Sequence, residues 1–227
     1  MPPPPRATAF ILAAGLGTRL RPLTMAVPKP LLPVAGQPML DHVLANVRAH
    51  GHEHVVVNAF WLADQIVAWA KDRPGVTVVV EAPAVLGTGG GLRNARDLLA
   101  DRFVVLNGDI LANVDLTALW AQPAPAVMSV RAQAVPRHTP IAVRDGFVTG
   151  IAGVVGEAGG AWHFTGVHVL DRAVLELVPA TGESSIIATA YASLVAQRRV
   201  RAAEHSGYWW DIGTPAEYDA VKSWGAK

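Results

Sequence analysis

The sequence predicts an α/β fold, a three-layer α/β/α sandwich around a mixed, mostly parallel sheet, and three observations carry that prediction. Short β-branched or apolar runs alternate with helix-length amphipathic segments through the first 120 residues. Beyond Trp120 the texture changes to strand-like runs separated by tight-turn signals. Of the 227 residues, 51% are hydrophobic and only 16% charged, so the chain can bury a substantial core.

The elements follow in order. Residues 1–6 (Met-Pro-Pro-Pro-Pro-Arg) form a short extended lead-in. Strands are expected at 9–13, 55–58, 76–81 and 103–107, and helices between them at 38–50, 60–71 and 90–100. Strands flanked by crossover helices give parallel pairing with right-handed connections. The second half offers strands at 126–131, 141–143, 147–151 and 162–170, with Arg144-Asp145-Gly146 as a hairpin turn, and these add antiparallel partners. Helical patterns return at 171–178, 184–197 and 215–223, the last capped by Thr214. The glycine-rich stretch 153–160 is too short to separate domains, so 1–227 reads as one domain with halves 1–120 and 121–227.

Charge and composition narrow the function classes. The net charge is +1 and the nineteen basic residues are scattered, which argues against nucleic acid as a partner. With no cysteine, disulfides and thiolate metal sites are excluded, leaving oxygen or imidazole ligands and hard cations first. No apolar stretch reaches the roughly 20 residues of a membrane helix, and no signal-peptide pattern precedes the first motif, so a cytoplasmic, unprocessed protein without membrane association is expected.

Ala13-Ala14-Gly15-Leu16-Gly17-Thr18-Arg19 follows the first strand directly. Glycine at a strand end permits positive φ and close backbone approach, and the loop N–H groups make an anion site. The stretch is not the dinucleotide fingerprint of an NAD-dependent oxidoreductase, because Leu20 stands at the third glycine position, nor is it a P-loop. Arg19 offers a planar fork for phosphate oxygens, and Pro28-Lys29-Pro30 holds one ammonium on an extended backbone. Together these describe a triphosphate clamp.

Two carboxylates end apolar strands. Phe103-Val104-Val105-Leu106-Asn107-Gly108-Asp109 delivers Asp109 to the sheet edge where ligands of open α/β folds collect. Tyr208-Trp209-Trp210-Asp211 delivers Asp211 just before the last helix, with Trp209 available to support the crevice wall. Helix capping or turn formation is the alternative role for each. Leu86-Gly87-Thr88-Gly89-Gly90-Gly91 is a second glycine cluster at a strand-to-helix junction, where a flat base lies against bare backbone; Thr88, Gly89 and Gly90, with Glu81 at the end of the preceding strand and Ala13, are the base and ribose candidates. His50-Gly51-His52-Glu53-His54 matches no zinc spacing.

The run Gly15-Leu16-Gly17-Thr18-Arg19-Leu20-Arg21-Pro22-Leu23-Thr24 with Pro28-Lys29-Pro30, Asn107-Gly108-Asp109 and Trp210-Asp211-Ile212-Gly213-Thr214-Pro215 resembles the signature of the sugar-1-phosphate nucleotidylyltransferases. The compact length, 81–91 and Phe164-Thr165-Gly166-Val167 look most like the N-acetylmuramate-1-phosphate uridylyltransferases of cell-wall recycling, and mannose-1-phosphate guanylyltransferases share much of the pattern. The resemblance implies a Rossmann-like sheet of the nucleotide-diphospho-sugar transferase type, with 1–120 as nucleotide-binding half and 121–227 as sugar-binding half. It implies Mg²⁺ on Asp109 and Asp211, and NTP and sugar 1-phosphate as substrates of a monomer or small homo-oligomer. Arg19 and the amides of Gly15, Gly17 and Thr18 then hold the β and γ phosphates, with Ala13 and Ala14 beside them and Lys29 on the α phosphate. A Glu-Lys-Pro segment common in relatives is absent here, which leaves Asn107, Thr165 and Gly166 as sugar-contact candidates. A nucleotide-sugar-binding regulator without catalysis is the non-enzyme alternative.

Overall fold

Alternation along the central strands sends side chains into two separate cores, one on each face of a single sheet. The computed structural model describes residues 6–132 and 138–224, so all of the lead-in expected over 1–6 except Arg6 lies outside the described residues. The first half runs β1 (Ala7–Leu12), a small hairpin β2 (Pro33–Val34) and β3 (Gln37–Pro38), α1 (Met39–Ala49), β4 (Val55–Ala59), α2 (Ala63–Ala70), β5 (Val76–Val80), α3 (Gly87–Asn94) and β6 (Leu99–Asn107). Ala9 and Ile11 of β1 and Val104 and Leu106 of β6 meet α1 and α2 on one face; Phe10, Phe103 and Val105 meet α3 on the other. That two-sided burial is what a helix–sheet–helix sandwich requires.

The four strands of this half stand in the order β6-β1-β4-β5 and pair in parallel. The chain leaves β1 toward β4 on one side and returns much later as β6 on the other. A crevice therefore opens beyond the carboxyl ends of β1 and β6, the switch point at which ligands of such sheets bind.

The second half adds β7 (Ile110–Ala112), α4 (Leu116–Trp120), β8 (Ala126–Ala132), β9 (Pro140–Arg144), β10 (Phe147–Ile151), β11 (Val155–Gly156), β12 (Trp162–Asp171), α5 (Ala192–Ala196), β13 (Val200–Glu204), β14 (Trp209–Asp211) and α6 (Pro215–Val221). Strand β12 lies antiparallel between β6 and β8, and β13 inserts between β8 and β10, parallel to the former. The sheet is mixed, and "mostly parallel" describes its first half only: beyond β6, antiparallel pairings dominate. One sheet of ten strands thus joins both halves.

Several boundaries differ from the sequence reading for local reasons. The helix expected at 90–100 begins at Gly87 and stops at Asn94, because Leu99 is already buried as the first residue of β6. The helix expected at 171–178 is a 3₁₀ turn (Arg172–Leu177), and that at 184–197 starts as a π turn (Ile187–Tyr191) leading into α5. Thr214 caps α6 as expected: the N–H of Glu217 donates to its Oγ1 at 3.4 Å while Glu217 Oε2 accepts from the N–H of Gly213 at 2.8 Å, a reciprocal arrangement of the capping-box kind. Among the described residues no helix is long and apolar enough to cross a membrane.

Candidate active site

The crevice is built where two strands end in register. Leu12 lies opposite Asn107, and the N–H of Gly108 donates to the carbonyl of Leu12 at 2.8 Å, so the loop after β1 and the turn carrying Asp109 start side by side. Lys29 reaches the same point from a 3₁₀ turn, Lys29–Leu31, rather than from the extended backbone its flanking prolines suggest. The reason is compatible φ: Pro28 is extended at φ −63° and ψ 140°, and Pro30 fits inside the first turn without a missing donor. The Lys29 ammonium donates to Asp109 Oδ2, and the lysine is nearly buried. Both residues line each of two adjoining lobes, one of about 210 Å³ with Ala13, Ala14, Asn58, Thr88 and Asn107, and one bounded by the glycine loop and Gly213.

The glycine loop is rigidly folded on itself. Gly17 sits at φ +62°, where a Cβ would stand 2.9 Å from Thr24 Cγ2, so only glycine fits. The Thr24 hydroxyl donates to the Gly17 carbonyl at 2.8 Å, and the Trp61 indole donates to the Thr24 carbonyl at 2.7 Å, anchoring the loop to the start of the next crossover. Gly15, Thr18 and Arg19 remain exposed at the mouth, and Arg19 makes no ion pair among the described residues. An exposed glycine loop, a guanidinium without an ion pair among the described residues and a buried ammonium together offer donors for a phosphate chain.

The second carboxylate arrives through a two-stranded ribbon. Strand β14 pairs antiparallel with β7, setting Asp211 opposite Ile110, and the N–H of Ile212 donates to the carbonyl of Asp109 at 3.3 Å. The turn carrying Asp109 and the end of β14 carrying Asp211 are thereby held side by side. Two carboxylates are enough protein ligands for Mg²⁺, which keeps several waters and takes its remaining donors from a substrate phosphate. Asp211 also accepts a hydrogen bond from His138 at 3.0 Å.

The family model for nucleotidyl transferases matches residues 8–141, more than half of the chain. The chain belongs to the nucleotidyl transferase family. It is 34% identical over 215 residues to the N-acetylmuramate alpha-1-phosphate uridylyltransferase of Neisseria meningitidis serogroup B, an alignment covering 91% of this chain and 93% of that one. With the mannose-1-phosphate guanylyltransferase of Mycobacterium tuberculosis it shares 31% identity over 92% of its own length and 62% of that relative's. Among solved structures, the inositol-1-phosphate CTP transferase of T. maritima superposes with a TM-score of 0.82 over 96% of both chains at 19% identity, a likeness of fold alone.

In this nucleotidyl transferase several residues expected at the base and the sugar serve elsewhere. Glu81 is buried and spends both oxygens internally: Oε1 accepts from Asn58 Nδ2 and Oε2 from the N–H of Leu86, each at 2.7 Å. Asn58 in turn accepts from the N–H of Ala13 at 2.8 Å. This Ala13–Asn58–Glu81–Leu86 chain ties the first glycine loop to the second. Asn58 itself lines the crevice and was missed, since an Asn within Val55-Val56-Val57-Asn58-Ala59 reads simply as strand.

The second glycine cluster divides. Gly87 and Thr88 line the crevice, and Thr88 Oγ1 accepts from the N–H of Ile186 at 3.0 Å. Gly89 and Gly90 are buried against 182–186, where a Cβ would meet Ile186 N at 2.9 Å or the Gly182 carbonyl at 2.7 Å; close packing, rather than an open base platform, accounts for glycine at both. Of the residues expected at the sugar, Asn107 lines the crevice and Gly166 lies against Asn107, a Cβ there falling 2.9 Å from Asn107 Nδ2. Thr165 does not: it is fully buried, and its hydroxyl donates to the Ser129 carbonyl at 3.1 Å. The bulge between β12 and β8 is what turns Thr165 inward and Gly166 toward Asn107.

Proposed function

We propose that the protein transfers a uridylyl group from UTP to N-acetylmuramate 1-phosphate, releasing pyrophosphate. The observation that carries this reading is the position of Lys29 and Asp109, which line both lobes of the crevice and so stand where a nucleotide and a second phosphate meet. The glycine loop with Arg19 suits the β and γ phosphates, and Lys29 the α phosphate, exchanging its contact with Asp109 for one with substrate. A phosphate oxygen of the sugar 1-phosphate attacks the α-phosphorus in line, and the bond to pyrophosphate breaks. The nucleophile is already ionised, so no general base is required; the chain's work is to align two anions and offset their repulsion. Asp109 and Asp211 are the residues that would hold Mg²⁺, which when bound supplies positive charge to the phosphate oxygens.

The choice of uridylyl and N-acetylmuramate follows the relative that this chain spans nearly end to end. The similarity to a mannose-1-phosphate guanylyltransferase favours a second reading, guanylyl transfer to mannose 1-phosphate. Pyrophosphate release, measured for UTP, dTTP, GTP, CTP and ATP against a panel of sugar 1-phosphates with Mg²⁺ and with chelator, separates them. Turnover confined to UTP with N-acetylmuramate 1-phosphate supports the proposal. Turnover with GTP and mannose 1-phosphate transfers it to the second reading, and none with any pair leaves a binding protein.

A further inference from the structure

Beside Asp211 stands a group of rings that the proposed reaction does not use. His138 and His163 stack with centroids 4.9 Å apart and planes inclined by 24°. Trp209 closes the group, edge-on to His138 at 5.2 Å and tilted against His163 at 4.9 Å. The indole donates to the Thr165 carbonyl at 2.8 Å, which pins Trp209 to β12. His163 is itself fully buried in β12, so one wall of the cage belongs to the central sheet. His138 has little freedom in this setting, and its outward nitrogen, Nε2, lies 3.0 Å from Asp211 Oδ2. A carboxylate accepts only, so Nε2 carries the hydrogen.

We infer that His138 is a positioning residue for the metal-binding carboxylate of Asp211. The inference rests on the assignment of Asp211 to a divalent cation made above. The two aspartates have different partners. Asp109 is held by Lys29, whose ammonium the proposed reaction passes to the incoming phosphate. Asp211 accepts from an imidazole that packs against two other rings. The hydrogen bond from His138 to Oδ2 fixes the orientation in which the carboxylate meets a cation. Hydrogen bonds of this kind to ligating groups are worth about 10–100-fold in metal affinity.

Mn²⁺ alone serves as the probe, titrated into the full-length protein without nucleotide, with free Mn²⁺ read by electron paramagnetic resonance. The wild type binds saturably, Asp211→Ala abolishes that binding, and His138→Phe, which keeps a ring in the cage but no donor, weakens it about tenfold. His138→Gln, whose amide can donate to the same oxygen, returns the affinity to within about threefold of wild type. If His138→Phe binds like the wild type while Asp211→Ala does not, the positioning role is wrong and the metal assignment stands. If Asp211→Ala binds like the wild type, the metal assignment fails and takes this inference with it. Should Phe at 138 prevent folding, His138→Ala with added imidazole makes the same comparison: affinity restored by imidazole supports the role, and affinity indifferent to it overturns the role.

Discussion

At the level of single residues the crevice holds two kinds of pairing, one partly solvated and one enclosed. Lys29 and Asp109 form the first kind: Asp109 keeps 29% of its side-chain surface in contact with solvent, so removing its partner leaves it hydrated. Lys29→Ala should therefore fold normally and lose turnover by a factor of about a hundred or more, the scale of one removed electrostatic stabiliser, read as pyrophosphate release at saturating substrates. The Asn58–Glu81 pair is the second kind. Glu81 accepts from two donors with two oxygens, whereas Gln offers one acceptor and turns its NH₂ against the other donor. Rotating Asn58 to compensate would aim its NH₂ at the N–H of Ala13, so the mismatch is passed along rather than relieved. Glu81→Gln should cost about 1–3 kcal/mol in urea denaturation, the penalty of a buried group left unpaired, and raise the KM for nucleotide. This contrast also explains what was legible. Lys29 and Asp109 announce themselves because prolines and a strand end fix where they point. Asn58 does not, and Glu81 shows only as a strand-end carboxylate without its role, because their links to each other and to the amides of Ala13 and Leu86 arise only in the folded sheet.

At the level of elements, the strands read best where burial is two-sided. Residues 55–59 and 103–107 form continuous apolar runs because both faces are covered. Strand β13 is silent in the sequence, since Val200-Arg201-Ala202-Ala203-Glu204 carries neither such a run nor clear alternation; its place between β8 and β10 comes from the partners it finds. The β7–β14 ribbon is equally silent as a pairing, because β7 and β14 are three-residue strands far apart in sequence, yet it is what brings Asp211 to Asp109. The bulge in β12 is the element on which the sugar side turns. Gly166 has φ +80°, and a Cβ there would lie 2.3 Å from Ile110 Cδ1 as well as against Asn107. Gly166→Ala should lower stability by on the order of 2 kcal/mol or more through left-handed strain and overlap. Because Ile110 and Asn107 flank the Asp109 turn, the same variant should raise the KM for sugar phosphate in steady-state assays, a change that strain remote from the crevice would not produce.

At the level of the whole molecule, one sheet carries both halves, and the core on its α3 face contains a polar pair that ties β12 to the π turn before α5. His168 Nδ1 lies 2.7 Å from the hydroxyl of Tyr191, and both side chains are fully buried among apolar neighbours. Burial pushes the His168 imidazole down to about 3 and raises the Tyr191 phenol well above its ordinary range, so both stay neutral across the working pH. Burial, with a smaller contribution from His50, also lowers the pKa of His52. In each case the unfolded histidine, with an ordinary value near 6.5, takes up a proton that the folded one resists. Stability is thus fully present above about pH 6.5 and falls as the pH drops from there toward 3, by up to about 1.4 kcal/mol per pH unit for His168. Removing only His168 would strand the tyrosine hydroxyl, so the informative change is His168→Phe with Tyr191→Phe, which deletes donor and acceptor together. Urea unfolding from pH 7.5 to 4.5 should show the double variant with a shallower acid decline, reduced by close to one proton, while its stability at pH 7.5 stays within about 1–2 kcal/mol of the wild type. An unchanged slope would mean that His168 is not the group whose buried neutrality the acid limb reports.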